Sequence, residues 1–414
     1  MRESIKKRID AVRSGEVPEG YRRTRAGLMP LDWQEDLAAK DVFRNYTNKK
    51  HNGEFQVLSA TQDRGIIPRS EVEIDIKFAE ENARSYKKVD VGDFVISLRS
   101  FQGGIEYSAC EGLVSPAYTV LKATRPISDN YYRAYFKTPD FISRLNGAVY
   151  GIRDGKQIGF EDFGELVVHY PPLTEQQKIA EILATCERVI ELKQRLLEEK
   201  RRQKQWLMQK LMDPNGGLRL PGFKGTWTSM QFGEIVTRSK NMISAPKCKK
   251  GTKCIELEHI EGGSGRLLGY CNAETQESNK CQFSTGDILF GKLRPYLQKA
   301  VKAPFDGVCS SEIWVLRPCL DALCNDYLFY IVQSKQFMLV ANTSSGTKMP
   351  RAEWSMVQNF VVELPTIAEQ KAIANVLAAA DQEITLLNAE LEVWQQKKKA
   401  LMQLLLTGLV RVNT

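Results

Sequence analysis

The chain lacks the usual marks of an enzyme, a secreted protein or a membrane protein. Its 414 residues contain no uninterrupted apolar run of about 18 residues, so no transmembrane helix is expected. The start, Met1-Arg2-Glu3-Ser4-Ile5-Lys6-Lys7-Arg8, is charged with no apolar stretch behind it; this excludes a secretory signal and makes the cytoplasm the expected compartment. Histidine is scarce. His51, His169 and His259 are far apart, and no nucleophile is arranged with any of them. No C-x-x-C pair occurs among the nine cysteines, and their odd number and irregular spacing argue against a disulfide framework. Seven lie between Cys248 and Cys324, yet the intervals from Cys248 to Cys254, Cys271 and Cys281 omit the close pairing that presets structural zinc ligands. They read as free buried thiols, and no metal is assigned to the chain. No glycine-rich cofactor fingerprint precedes a helix. Gly286-Asp287-Ile288-Leu289-Phe290-Gly291-Lys292 has the glycine and lysine spacing of a phosphate-binding loop, but Leu293 stands where Ser or Thr should ligate magnesium. The residues between the glycines read as a buried strand. Tyr170-Pro171-Pro172 lacks the polar residue that a methyltransferase tetrad needs, and its aromatic lies on the wrong side.

What the chain does have is an internal repeat. Glu175-Gln176 recurs as Glu369-Gln370, 194 residues on. The same offset pairs Pro171 with Pro365, Ile179 with Ile373, Leu183 with Leu377, Leu207-Met208-Gln209 with Leu401-Met402-Gln403, Gly92-Asp93 with Gly286-Asp287, and Trp33 with Trp227. One residue more pairs Leu98-Arg99 with Leu293-Arg294. The order is therefore module, helix, module, helix. Expected strands are Asp93–Leu98, Tyr118–Leu121 and Leu166–His169 in the first module, with Asp287–Phe290, Glu312–Leu316 and Phe360–Glu363 in the second. Helical patches are expected around Tyr131–Phe136 and Asp326–Val332. The fold class is mixed α/β. The boundaries are 1–172 for an N-terminal helix and first module, 173–213 for the first long helix, 214–364 for the second module, 365–408 for the second long helix and 409–414 for a tail.

The helices carry the clearest pattern. Thr174 with Gln177, and Thr366 with Glu369, read as capping boxes. From Ile373 the apolar positions Leu377, Ala380, Ile384, Leu387, Leu391 and Trp394 follow heptad spacing. The first helix keeps Ile179, Leu183, Cys186, Ile190 and Leu197 in the same frame but places Lys193, Lys200 and Lys204 on the seam. Asp213-Pro214 and Gly408 are placed to stop them. Each helix is about 55–60 Å long at 1.5 Å per residue. The simplest burial is an antiparallel coiled-coil pair acting as a fixed spacer between the modules; two helices packed separately on their own modules is the alternative.

These residues together resemble the specificity subunit of type I restriction-modification systems, over essentially the whole chain. The resemblance rests on Pro172-Leu173-Thr174-Glu175-Gln176-Gln177-Lys178-Ile179-Ala180 and its copy from Pro365, on Leu218-Arg219-Leu220-Pro221-Gly222-Phe223 opening the second module, and on Gly286 through Tyr296. It implies two target-recognition domains, each reading one half of a split double-stranded DNA site, on helices that dock two methyltransferase subunits. Those partners bring S-adenosylmethionine and methylate adenine. Up to two restriction or motor subunits, using ATP and magnesium, join them. The chain then holds no cofactor and no catalytic residue, and works in the cytoplasm of a bacterium or archaeon. The net charge of +8 accords with a polyanionic partner without singling one out. A stand-alone DNA-modifying enzyme and a coiled-coil scaffold are the competing readings; the missing motifs count against the first and the two divergent modules against the second.

Within that reading, base and phosphate contacts favour Arg, Lys, Gln and Tyr in exposed loops. The expected DNA-binding residues are Arg99, Gln102, Tyr150, Arg153, Lys156 and Gln157 in the first module. In the second they are Lys292, Arg294, Tyr296, Ser345, Thr347, Lys348 and Arg351. Glu175, Gln176, Glu369 and Gln370 are expected on the partner-binding faces of the helices.

Overall fold

Both modules are built on the same four-stranded antiparallel sheet in a computed structural model of the chain, which describes residues 3–34, 37–72, 80–148, 158–343 and 349–413. The first has β1 (Phe43–Asn45), β2 (Phe94–Ile96), β3 (Glu106–Tyr107) and β4 (Thr119–Ala123), in the order β1-β4-β2-β3. The second has β5 (Val236–Arg238), β6 (Ile288–Gly291), β7 (Ala300–Lys302) and β8 (Ile313–Pro318), in the matching order β5-β8-β6-β7. Helices α1 (Asp129–Tyr135) and α2 (Pro139–Gly147) follow the first sheet. Helices α4 (Asn325–Ile331) and α5 (Lys335–Ala341) follow the second, and the long helices are α3 (Leu173–Leu211) and α6 (Ile367–Leu406).

These sheets are covered on both faces, which is why their strands read as unbroken apolar runs. Side chains alternate across a strand. Ile288 and Phe290 enter one core with Trp314 and Leu316, whereas Leu289 enters a second with Ile313 and Val315. In the first module Phe94, Ile96 and Leu121 face the helices while Val95 and Val120 face the other way. The helix-side core is aromatic: Phe43 lies 5.1 Å from Tyr132, and Phe136 4.8 Å from Phe141. The far layer is where the modules part company. In the first it consists of two strand pairs, Leu58–Thr61 with Gly65–Pro68 and Lys87–Val89 with Gly112–Val114. In the second it is a five-stranded sheet running from Met242–Ser244 to Cys271–Asn272.

The strand expected before each proline forms only once. Val361–Leu364 pairs with Thr228–Gln231, whereas Leu166–His169 contributes a single bridge between Val167 and Ala38. The capping boxes also need correction. The Gln176 N–H donates to the Pro172 carbonyl, so α3 starts ahead of Thr174, which lies in its first turn. The Thr366 hydroxyl does accept from the Glu369 N–H at 3.4 Å, but the Glu369 carboxylate is engaged elsewhere.

Compactness cuts across the linear order of module and helix. One unit is Met1–Leu192 with Leu391–Thr414; the other is Lys193–Glu390. Each therefore owns a segment of both long helices, and within each unit the two segments run antiparallel. Lys193 pairs with Glu390 at 2.6 Å, Lys200 with Glu383 at 2.8 Å and Lys204 with Asp381 at 2.6 Å in the second unit. Lys398 pairs with Glu187 at 2.7 Å in the first. The lysines that interrupt the heptads thus face carboxylates on the opposing helix. The first unit closes its core with Leu405 and Leu406, as the second does with Leu211.

Candidate nucleic-acid interface

Four of the seven residues expected to meet DNA in the second module, Lys292, Arg294, Tyr296 and Arg351, come together at the end of β6. There the chain leaves the sheet and makes a tight turn through Pro295-Tyr296-Leu297, flanked by Arg294 and Gln298 with φ of 51° and 52°. These are the only non-glycine residues with positive φ among the described residues. An L-residue in that region costs about 1–2 kcal/mol, so the surroundings must impose it. They do so from two sides. The Arg294 N–H donates to the Pro350 carbonyl at 2.7 Å, and the Gly263 N–H to the Gln298 carbonyl at 2.9 Å. A Cβ on Gly262 would lie 2.4 Å from the Leu297 carbonyl oxygen, so the turn sits directly on glycine backbone. Held this way, it projects Tyr296, 53% exposed, and Leu297, 42% exposed. Arg294 is exposed and Lys292 half-buried, and neither side chain is hydrogen-bonded or ion-paired to a described residue. Arg351 lies beside them, bridged in register with Leu293, but its guanidinium is held by Glu312 at 3.0 Å.

The equivalent segment of the first module leaves β2 and makes a helical turn, Ser100–Gly103. The Ser97 N–H donates to the Ser100 hydroxyl at 2.9 Å, and Lys137 holds the Gly103 carbonyl at 2.8 Å. Gly104 closes it with φ of 78°; a Cβ there would fall 2.1 Å from the Phe136 carbonyl oxygen. Arg99 and Gln102 are exposed on this turn. The two modules thus present an arginine at the same place on the same sheet, on turns of different shape. Tyr150, Arg153, Lys156 and Gln157, like Ser345, Thr347 and Lys348, lie outside the described residues.

The expectation for the repeated Glu-Gln pair does not fit its surroundings. Glu175, Gln176, Glu369 and Gln370 are at most 1% exposed, so they offer no face to a partner. Their work is internal. Glu175 accepts from Arg411 at 2.7 and 2.8 Å and from the Trp33 indole at 2.9 Å. Glu369 accepts two bonds of 2.8 Å from Arg219. Gln176 donates to the Pro171 carbonyl and accepts from the Ser128 N–H, both at 2.9 Å. Gln370 does the same with Pro365 and Cys324. Each glutamine thereby ties the start of a long helix to the loop before α1 or α4, and each glutamate anchors an arginine. Residue patterns marked the pair, but nothing in the spacing links it to its partners: Arg411 went unmarked, and Arg219 stood out only as part of the segment that opens the second module. Gln298 and the Gly262-Gly263 cradle were likewise missed, the glycine pair being the one local signal available.

Among the described residues no cluster of three or more His, Cys, Asp or Glu side chains is placed to hold a metal ion, and no helix is long and apolar enough to cross a membrane.

A model of the type I restriction modification DNA specificity domain matches residues 35–200 and 224–393. The chain is 24% identical over 354 residues to the type I restriction enzyme MjaVIII specificity subunit of Methanocaldococcus jannaschii, covering 78% of this chain and 80% of that one. It is 23% identical over 424 residues to the putative MjaX specificity subunit of the same organism, covering 96% and 98%. Two solved structures share the fold. One is the S subunit of a type I restriction-modification system from M. genitalium, with a TM-score of 0.51, 13% identity and coverage of 91% and 96%. The other comes from work on complex assembly and conformational transition of the type I R-M system, with a TM-score of 0.53, 17% identity and coverage of 95% and 100%.

Proposed function

The chain belongs to the type I restriction-modification DNA specificity family, and from that premise we propose that it reads a split DNA site, one half per module, through the turns that follow β2 and β6. The observation that carries this reading is the pairing of a repeated frame with unlike contents. The same sheet order brings Arg99 and Arg294 to matching places, on turns whose shapes and neighbouring side chains differ. A guanidinium is suited to bidentate contact with guanine, and Tyr296 to phosphate or base stacking. Two methyltransferase subunits, carrying S-adenosylmethionine, modify adenine where the chain directs them. Two motor or nuclease subunits using ATP and magnesium complete the restriction complex. The chain itself selects the site and performs no chemistry.

The test is to map methylated adenines genome-wide in cells that carry the partner subunits, with the chain, without it, and with Arg294→Ala. A split motif should appear only with the chain. The variant should relax the preference at a position in one half, by about 1–3 kcal/mol or roughly 10–100-fold, and leave the other half as it was. An unchanged motif in the variant would remove Arg294 from the reading surface.

A further inference from the structure

The five-stranded sheet of the second module holds four of the nine cysteines, and register places them in two facing pairs. Cys281 stands directly opposite Cys309 on neighbouring antiparallel strands, and Cys254 directly opposite Cys271. Directly opposed residues in an antiparallel pair have Cα atoms about 4.5–5.5 Å apart, within the range a disulfide spans. The pairs lie on different faces. Cys254 is cross-strand to Val308 while Cys309 is the next residue, so Cys254 and Cys271 point into a small cluster with Ala273. Cys281 and Cys309 point into the larger core with Ile255, Phe283 and Leu289. The two pairs also differ in chemistry. The neighbouring Cys309 thiol, with Arg317 and Arg238 nearby, brings the Cys281 thiol down to about 7 against its burial, and the Cys281 thiol lies 3.8 Å from the Ser239 carbonyl oxygen. Burial and the Glu256 carboxylate push Cys254 up instead, and its thiol donates to that carboxylate at 3.4 Å.

We propose that Cys281 and Cys309 form a peroxide-sensitive dithiol, a modification site confined to the second module. The Cys281 sulfur, as thiolate, attacks one oxygen of hydrogen peroxide. The O–O bond breaks, hydroxide leaves and takes up a proton to become water, and Cys281 is left as sulfenic acid. The Cys309 sulfur then attacks the Cys281 sulfur. The S–O bond breaks as the S–S bond forms, and the departing hydroxide takes the Cys309 proton to give a second water. Two thiols supply the two electrons that reduce one peroxide, and a dithiol reductant reverses the step. Cys281 is 4% exposed and Cys309 fully buried, so the oxidant proposed is the small, uncharged hydrogen peroxide. The first module has no counterpart: Cys110 is its one cysteine, and Cys186 lies on α3.

The experiment treats the intact chain with hydrogen peroxide, quenches with N-ethylmaleimide under denaturing conditions, and maps cysteine peptides by mass spectrometry. The expected product is a Cys281–Cys309 cross-linked peptide, 2 Da lighter than the reduced pair and restored by dithiothreitol. Cys309→Ser should block the cross-link and leave Cys281 trapped as its dimedone adduct. Full alkylation of both thiols after peroxide, or a cross-link only between Cys254 and Cys271, overturns the assignment.

Discussion

At the scale of single residues, the first unit depends on polar side chains buried far from their sequence neighbours. His169 is enclosed with its Nδ1 2.9 Å from the Leu406 carbonyl oxygen and its Nε2 3.1 Å from that of Ala26, its ring edge-on to Trp33. A neutral imidazole donates to only one of those carbonyls, and a charged one would donate to both. Burial nevertheless outweighs the carbonyls and draws the His169 pKa below its ordinary value. The unfolded chain then binds a proton more readily than the folded one. The stability of this unit should therefore be unaffected well above pH 6.5 and should fall as the pH drops below it, by up to about 1.4 kcal/mol per pH unit, until the depressed folded pKa is reached. Urea unfolding at pH 7.5 and 5.5 checks this: the loss between the two should shrink in His169→Asn, and an equal loss in both proteins would acquit the histidine. The same scale shows what spacing does and does not reveal. Glu175 and Gln176 stood out because they recur, but recurrence does not tell a buried tie from an exposed contact. That distinction needed Arg411, 236 residues away, and Ser128, neither of which is marked by any period.

At the scale of elements, the long helices were the most legible part of the chain and their polar middle the least. Heptad spacing exposes an apolar seam, yet Lys193, Lys200 and Lys204 look like defects in it until the opposing helix is present. Lys204 then proves to be the consequential one. Its side chain is 8% exposed, and Asp381, which it meets, also accepts from the Tyr330 hydroxyl at 3.0 Å. Lys193–Glu390 is far wetter, at 22% and 58%. A surface pair contributes up to about 1 kcal/mol, whereas breaking a buried pair costs about 3–5 kcal/mol because the remaining charge is stranded. Lys204→Asp should therefore cost several times more than Lys193→Asp in urea unfolding. Adding Asp381→Lys to Lys204→Asp should recover more than half of the loss. A double variant no better than the single would show that the pair does not set the helix register. The turns proposed to read DNA were legible only in part for a related reason. Arg294 and Tyr296 were visible as polar and aromatic residues after a strand, but the left-handed backbone at Arg294 and Gln298 is imposed by Gly262, Gly263 and Pro350, which are distant in sequence.

At the scale of the whole molecule, the 194-residue repeat is linear in sequence, yet the end of the chain packs with its beginning. The second unit opens on the C-terminal end of α3. The first can obtain the same element only from the end of the chain, so Leu391–Thr414 belongs with Met1–Leu192. Arg411 then stands to Glu175 as Arg219 stands to Glu369. The boundary between units falls between Leu192 and Lys193 in one helix and between Glu390 and Leu391 in the other. This fixes where the helices can be lengthened with least damage. Seven residues inserted at both points leave Lys193–Glu390, Lys200–Glu383 and Lys204–Asp381 together in one unit and Lys398–Glu187 together in the other. One heptad adds about 10 Å of helix, close to the rise of three base pairs, and turns the apolar seam by only about 20°. If the helix pair measures the unread gap in a split DNA site, methylated-adenine mapping with the lengthened chain should return the same two half-sites separated by about three more base pairs. The same insertion in α3 alone breaks the match between the helices and should abolish modification. An unchanged gap in the doubly lengthened chain would mean that something other than helix length sets the distance between the half-sites.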